Sequence, residues 1–111
     1  MARVINHKFI MDAQSTDETE STVLGPAIAP QIHEGAIYVV WSAGVTAGVV
    51  EIEDAHREDY TGTWSTMGTV TFATADKVDR MNYTGTHMAV RARISTAVSG
   101  GTVSVFFLGQ G

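Results

Sequence analysis

The sequence predicts an all-β protein: a small antiparallel β-sandwich, jelly-roll-like, with an N-terminal arm. Three observations predict it. Residues 88–95 place Met88, Val90, Ala92 and Ile94 on one face and Ala89, Arg91 and Arg93 on the other, the period of two that marks a half-buried strand. The chain holds 11 glycines but only two prolines, which suits short strands joined by tight turns. No convincing helical repeat extends beyond two turns.

Taken in order, residues 2–12 mix apolar Val4, Phe9, Ile10 and Met11 with polar Asn6, His7 and Lys8. The alternation is poor, so this stretch reads as an arm or an edge strand as readily as a core strand. Residues 13–22 are polar and acidic and read as a solvated loop. Together these give an N-terminal unit, residues 1–22, ahead of a sandwich domain, residues 23–111. Residues 23–30 are apolar but broken by Gly25, Pro26 and Pro30, and proline cannot donate to a ladder, so an edge or extended segment is expected.

Residues 36–42 form the clearest strand, with Ile37, Val39 and Trp41 on one face. Residues 49–53 alternate Val50 and Ile52 inward with Glu51 and Glu53 outward. Residues 54–63 read as a long polar loop, and Val70 and Phe72 mark a strand within residues 64–74. Residues 75–81 read as a single helical turn or a connection, followed by a linker. The chain then finishes in a hairpin: residues 88–95, a loop containing Gly100 and Gly101, and residues 102–108. Because Phe106 and Leu108 are apolar opposite Val105 and Phe107, the last strand is expected in the middle of a sheet.

A length of 111 residues corresponds to one domain able to bury a core without staples. The absence of cysteine excludes disulfides and thiolate metal sites. A net charge of −5 argues against nucleic-acid binding, which needs a basic face, and two arginines at 91 and 93 are a small stripe. No apolar run reaches the roughly 20 residues of a membrane helix, and the N-terminal run lacks signal-peptide character. A soluble, cytoplasmically made protein is therefore expected, with neither nucleic acid nor membrane as partner.

No catalytic constellation is visible. The acidic stretch Glu51, Glu53, Asp54, His56, Glu58 and Asp59 lacks the glycine and terminal glutamate of a Ca²⁺ loop. His7, His33, His56 and His87 are scattered. Glu51 and Glu53 share a strand face about 7 Å apart, a spacing compatible with paired-carboxylate chemistry, but so small a sandwich leaves little room for a substrate cleft. Ser42 is not in a nucleophile elbow, and residues 44–48 are not followed by the lysine of a phosphate loop. No enzyme activity, cofactor or metal is expected.

The repeated tetrapeptide Tyr-Thr-Gly-Thr at 60–63 and 83–86 reads as a shared turn solution. Trp64, Tyr60 and Tyr83 could form a sugar platform or pack as core. A protein interface would be anchored by aromatic and arginine side chains. The candidates are Tyr60, Trp64, Arg91 and Arg93, with Arg3 and Phe9 from the arm.

The short, acidic, cysteine-free chain, its Thr/Gly/Ala/Val-rich strands, the opening run MARVINHKFIMD and the closing GGTVSVFFLGQG resemble one virion family. It is that of the small capsid decoration (staple or cement) proteins of epsilon15-like short-tailed bacteriophages. The resemblance implies a jelly-roll-like sandwich on the outside of an icosahedral head, made in the host cytoplasm. It implies binding across neighbouring major capsid protein subunits, self-association as a homodimer on the capsid, and no catalytic residues. The alternative is a carbohydrate-binding or host-recognition module of a phage tail or spike.

Overall fold

The structure is a computed structural model, and it describes residues 5–24, 34–84 and 88–110. It is all-β with no helix among the described residues. Seven strands occur among the described residues: β1 (Ile5–Gln14), β2 (Glu34–Trp41), β3 (Ala47–Ala55), β4 (Ser65–Thr71), β5 (Lys77–Thr84), β6 (Ala89–Ser99) and β7 (Val103–Gln110). They form a four-stranded sheet in the order β1-β7-β2-β5 and a three-stranded sheet in the order β4-β3-β6. All pairings are antiparallel.

The free side of β6 is covered by the segment after β1. Glu20 and Leu24 form isolated bridges to Arg93 and Val90. Counted as an eighth, degenerate strand, this segment completes the strand order of a jelly roll, two four-stranded sheets built from interlocked Greek keys.

The core lies between the sheets and follows the period of two. Ile37, Val39 and Trp41 of β2 and Val103, Val105 and Phe107 of β7 face Val50 and Ile52 of β3 and Ala92 and Ile94 of β6, all buried. Trp41 meets Phe72 edge-on at 5.4 Å between ring centroids, and Tyr83 stacks on Phe107 at 6.1 Å. The Trp41 indole N–H donates to Asp79 Oδ2 at 2.8 Å, so the large ring is buried without a polar cost. Burial pushes the Tyr83 hydroxyl up to about 12. The neutral phenol is thus favoured in the fold, and its stabilisation is present below the unfolded value near 10 and is lost as pH rises towards 12. Melting temperature is expected to fall between those limits, and Tyr83→Phe should flatten that fall; an unchanged slope in the variant would assign it to other groups.

Four sequence expectations are corrected. The N-terminal stretch is not an arm: Ile5–Gln14 is an edge strand paired along β7, and Ile10 and Met11 are buried in the core. Register shifts between Phe9 and Met11 and between Met11 and Gln14 spoil its alternation in sequence. Residues 13–22 are not simply a solvated loop, because their backbone docks on β6. Glu18 and Ser21 donate N–H bonds to the carbonyls of Ile94 and Ala92, both at 2.8 Å, and the Ser21 hydroxyl accepts from Ala92 N–H.

Residues 77–84 form strand β5 rather than a helical turn and linker, in unbroken register with β2 from Glu34↔Thr84 to Trp41↔Lys77. Finally, β6 and β7 do not form a hairpin. They lie in different sheets, and their connection crosses from one to the other. It meets the β2–β3 crossing, where Ser42 N–H donates to Thr102 C=O at 3.0 Å and Thr46 N–H to Ser99 C=O at 2.8 Å. Gly44 and Gly100 abut there with φ of +89° and +82°, a conformation and closeness that only glycine permits. The central placement of β7 agrees with expectation. The 23–30 segment lies mostly outside the described residues.

Candidate functional site

The outer face of the three-stranded sheet carries a polar cluster set by strand register. Glu51 stands opposite Arg93 and Glu53 opposite Arg91 on neighbouring strands, so alternation aims two carboxylates and two guanidiniums to the same side. Glu53 is the hub. Its carboxylate accepts from Arg91 Nε at 3.0 Å and from Arg93 Nε at 3.2 Å, and its side chain is only 4% exposed. Arg93 also reaches Glu51 at 2.9 Å and Glu18 at 3.0 Å, and Arg91 reaches Glu20 at 3.0 Å.

The docked segment therefore supplies the outer carboxylates, and the ion pairs clasp it to the sheet. Burial alone would lower the pKa of Arg93. The hydrogen bond and charge of Glu53, then the charges of Glu18 and Glu51, outweigh that effect and raise it.

Trp64 closes the other side. Its ring lies under the Arg91 guanidinium, 4.2 Å from carbon to centroid, a cation–π geometry. Its indole N–H donates to Tyr60 C=O at 3.0 Å, and Tyr60 in turn packs edge-on against His56 at 5.0 Å. Glu18, Glu20, Glu53, Thr63, Trp64 and the two arginines line an open cleft of about 330 Å³.

The structure thus brings together Tyr60, Trp64, Arg91 and Arg93. Arg3 lies outside the described residues; Phe9 stands opposite Phe106 in the β1–β7 register. The four that converge are not free-standing anchors, because Trp64 is 4% exposed and the arginines are engaged with carboxylates. Nor do the aromatics make a flat sugar platform: Trp64 is covered by Arg91, and Tyr83 is buried in the core. Sequence reasoning missed Glu18 and Glu20. Glu51 and Glu53 were legible as outward positions, but their partners depend on register. No group of three or more histidine, aspartate or glutamate side chains among the described residues is arranged to hold a metal.

The outer face of the four-stranded sheet differs in character. Tyr38 and Phe106 lie side by side at 6.4 Å, the Arg80 guanidinium sits 5.5 Å from the Tyr38 ring centroid, and Val78 is 52% exposed.

No family model and no curated protein matches the sequence. Solved structures do match the fold. One is the SPBc2 prophage-derived protein YomS, with a TM-score of 0.66 and 11% identity over 100% of this chain and 96% of that one. Another comes from the Bacillus endospore appendages described as disulfide-linked pili, with a TM-score of 0.54 and 11% identity over 99% of this chain and 88% of that one. At such identity the likeness is one of fold.

Proposed function

We propose that the protein is a structural component of a phage particle: a decoration protein that binds the outside of the head and stabilises contacts between major capsid protein subunits. The observation that carries this reading is the jelly-roll fold shared over the full chain with a prophage-derived protein. The likeness to a component of spore appendages described as pili adds a structural protein of similar fold. The finer assignment to the capsid exterior rests on the resemblance of the sequence to phage decoration proteins.

The architecture suits the task mechanically. Two sheets locked by an apolar core and by crossing loops in backbone contact make a stiff module, which loses little conformational entropy on docking. A stiff module that touches two capsid subunits adds bonds that must break before the joint opens. Many weakly bound copies then act together.

Heads lacking the protein, compared with heads to which it has been added back, test this directly. Added protein is expected to raise the temperature at which DNA is released. Equal release temperatures under saturating protein would remove the stabilising role.

A further inference from the structure

The two long sides of the sandwich are finished differently. On one side the segment after β1 seals the gap between the sheets. Glu18, Ser21 and Leu24 donate N–H bonds to the carbonyls of Ile94, Ala92 and Val90 on β6, each at 2.8 Å, and Thr22 donates to the Ile10 carbonyl of β1. On the other side β4 and β5 are the edge strands of their sheets. Among the described residues no backbone hydrogen bond joins these two edges, and no strand pairs with the outer side of either.

The two edges are not alike. β5 carries Lys77, Asp79 and Arg80, charges of the kind that keep an edge strand from pairing. β4 carries neither charge nor proline from Ser65 to Thr71. Its bulge, at Met67, leaves residues 68–72 in regular pairing with β3, from Gly68 opposite Ile52 to the Phe72 N–H that donates to Gly48 C=O at 2.9 Å. An outward lane of main-chain N–H and C=O groups about 17 Å long results.

Beneath the lane lies an apolar floor. Val70, Phe72 and Met81 are partly buried against the core. Met81 reaches from β5 under Gly68, where a Cβ would collide with its sulfur. Above the lane is the outer face of the three-stranded sheet, where the four carboxylates of Glu18, Glu20, Glu51 and Glu53 face the two guanidiniums of Arg91 and Arg93. That face is therefore negative. Glu51 stands opposite Thr69 and accepts from the Thr66 hydroxyl at 3.4 Å.

We propose that the β4 edge takes up an extended segment of another protein as an added strand, and that this segment alternates apolar residues with lysine or arginine. Main-chain pairing sets its register, and the period of two sends alternate side chains to opposite faces. One set falls over Val70, Phe72 and Met81, where the pliable methionine adapts to it. The other set continues the outer face of the sheet. A basic side chain laid across Thr69 points to Glu51, two strand spacings or about 10 Å away. Charge complementarity thus selects a basic segment over an acidic one.

This inference goes beyond head binding and is tested on the purified chain without heads. The probes are two peptides about nine residues long, one alternating valine with lysine and one alternating valine with glutamate. In amide NMR titrations at low salt, the valine–lysine peptide should shift the amides of residues 68–72 and slow their hydrogen exchange, with a Kd on the order of 100 µM. The valine–glutamate peptide should bind at least about tenfold more weakly, and about 0.5 M salt should weaken the valine–lysine complex. Thr69→Lys and Thr71→Lys, at exposed outward positions, should each weaken it at least about fivefold with an unchanged melting temperature. Equal binding of the two peptides, or no shift at about 1 mM peptide, would overturn the proposal. Shifts confined to residues 18–20 would also overturn it, because the peptide would then lie on the acidic face without adding a strand. So would shifts on β4 that follow the protein's own concentration without peptide, which would give the edge to a second copy.

Discussion

Deleting the first 14 residues is expected to leave a chain that does not fold. The deletion removes β1, and with it Ile10 and Met11 from the core at 3% and 5% exposure. Truncating one such side chain costs about 2–5 kcal/mol, and a domain of this size has only about 5–15 kcal/mol in total. The loss goes further than side chains. β7 would become an edge, and Thr22 would lose the Ile10 carbonyl that accepts its N–H at 2.8 Å. Far-ultraviolet dichroism of the truncated protein should lose its β spectrum and its cooperative melt. A truncated chain that melts cooperatively near the wild-type temperature would restore the view of this segment as an arm. As a graded control, Ile10→Ala should fold but lose about 3 kcal/mol.

Glu53→Gln is expected to be the most damaging single substitution outside the core. The side chain is nearly inaccessible and serves two arginines at once, themselves 11% and 20% exposed. Neutralising it leaves two partly buried guanidiniums short of a counter-charge, and breaking a buried pair in this way costs about 3 kcal/mol. Glu18→Gln should cost less than about 0.5 kcal/mol, because exposed ion pairs are weak, and the Glu18 side chain is 68% exposed. Denaturant melts of the two variants decide the matter. Equal effects would mean that the cluster is a solvated surface network without a hub. High salt should narrow the difference between Glu18→Gln and wild type more than that between Glu53→Gln and wild type, because screening acts on exposed pairs.

Strands whose inward positions are uniformly apolar were legible in the sequence. Ile37, Val39 and Trp41 announce β2, and Val90, Ala92 and Ile94 announce β6. β5 was not legible, because its inward positions are Asp79, Met81 and Tyr83 and its outward ones include Val78, which inverts the usual contrast. Asp79 makes sense only once Trp41 is beside it. The segment after β1 was hidden for a different reason. It is held by backbone bonds and ion pairs, and neither leaves an apolar signature. The terminal hairpin was misread because two strands give the same alternation whether they pair in one sheet or face each other across a core. Of the candidate site, Tyr60, Trp64, Arg91 and Arg93 were named as residue types suited to an interface. That they meet, and that Glu53 joins the two arginines, depends on the β3–β6 register, which local sequence does not encode.

The proposed binding to phage heads is open to a co-sedimentation test. Purified protein is mixed in increasing amount with mature heads that lack it, and the pellet is assayed for bound copies. Saturable binding that levels off at a fixed ratio to the major capsid protein is expected. Protein that stays in the supernatant at micromolar concentration, or that pellets in proportion to its input without saturating, would contradict it.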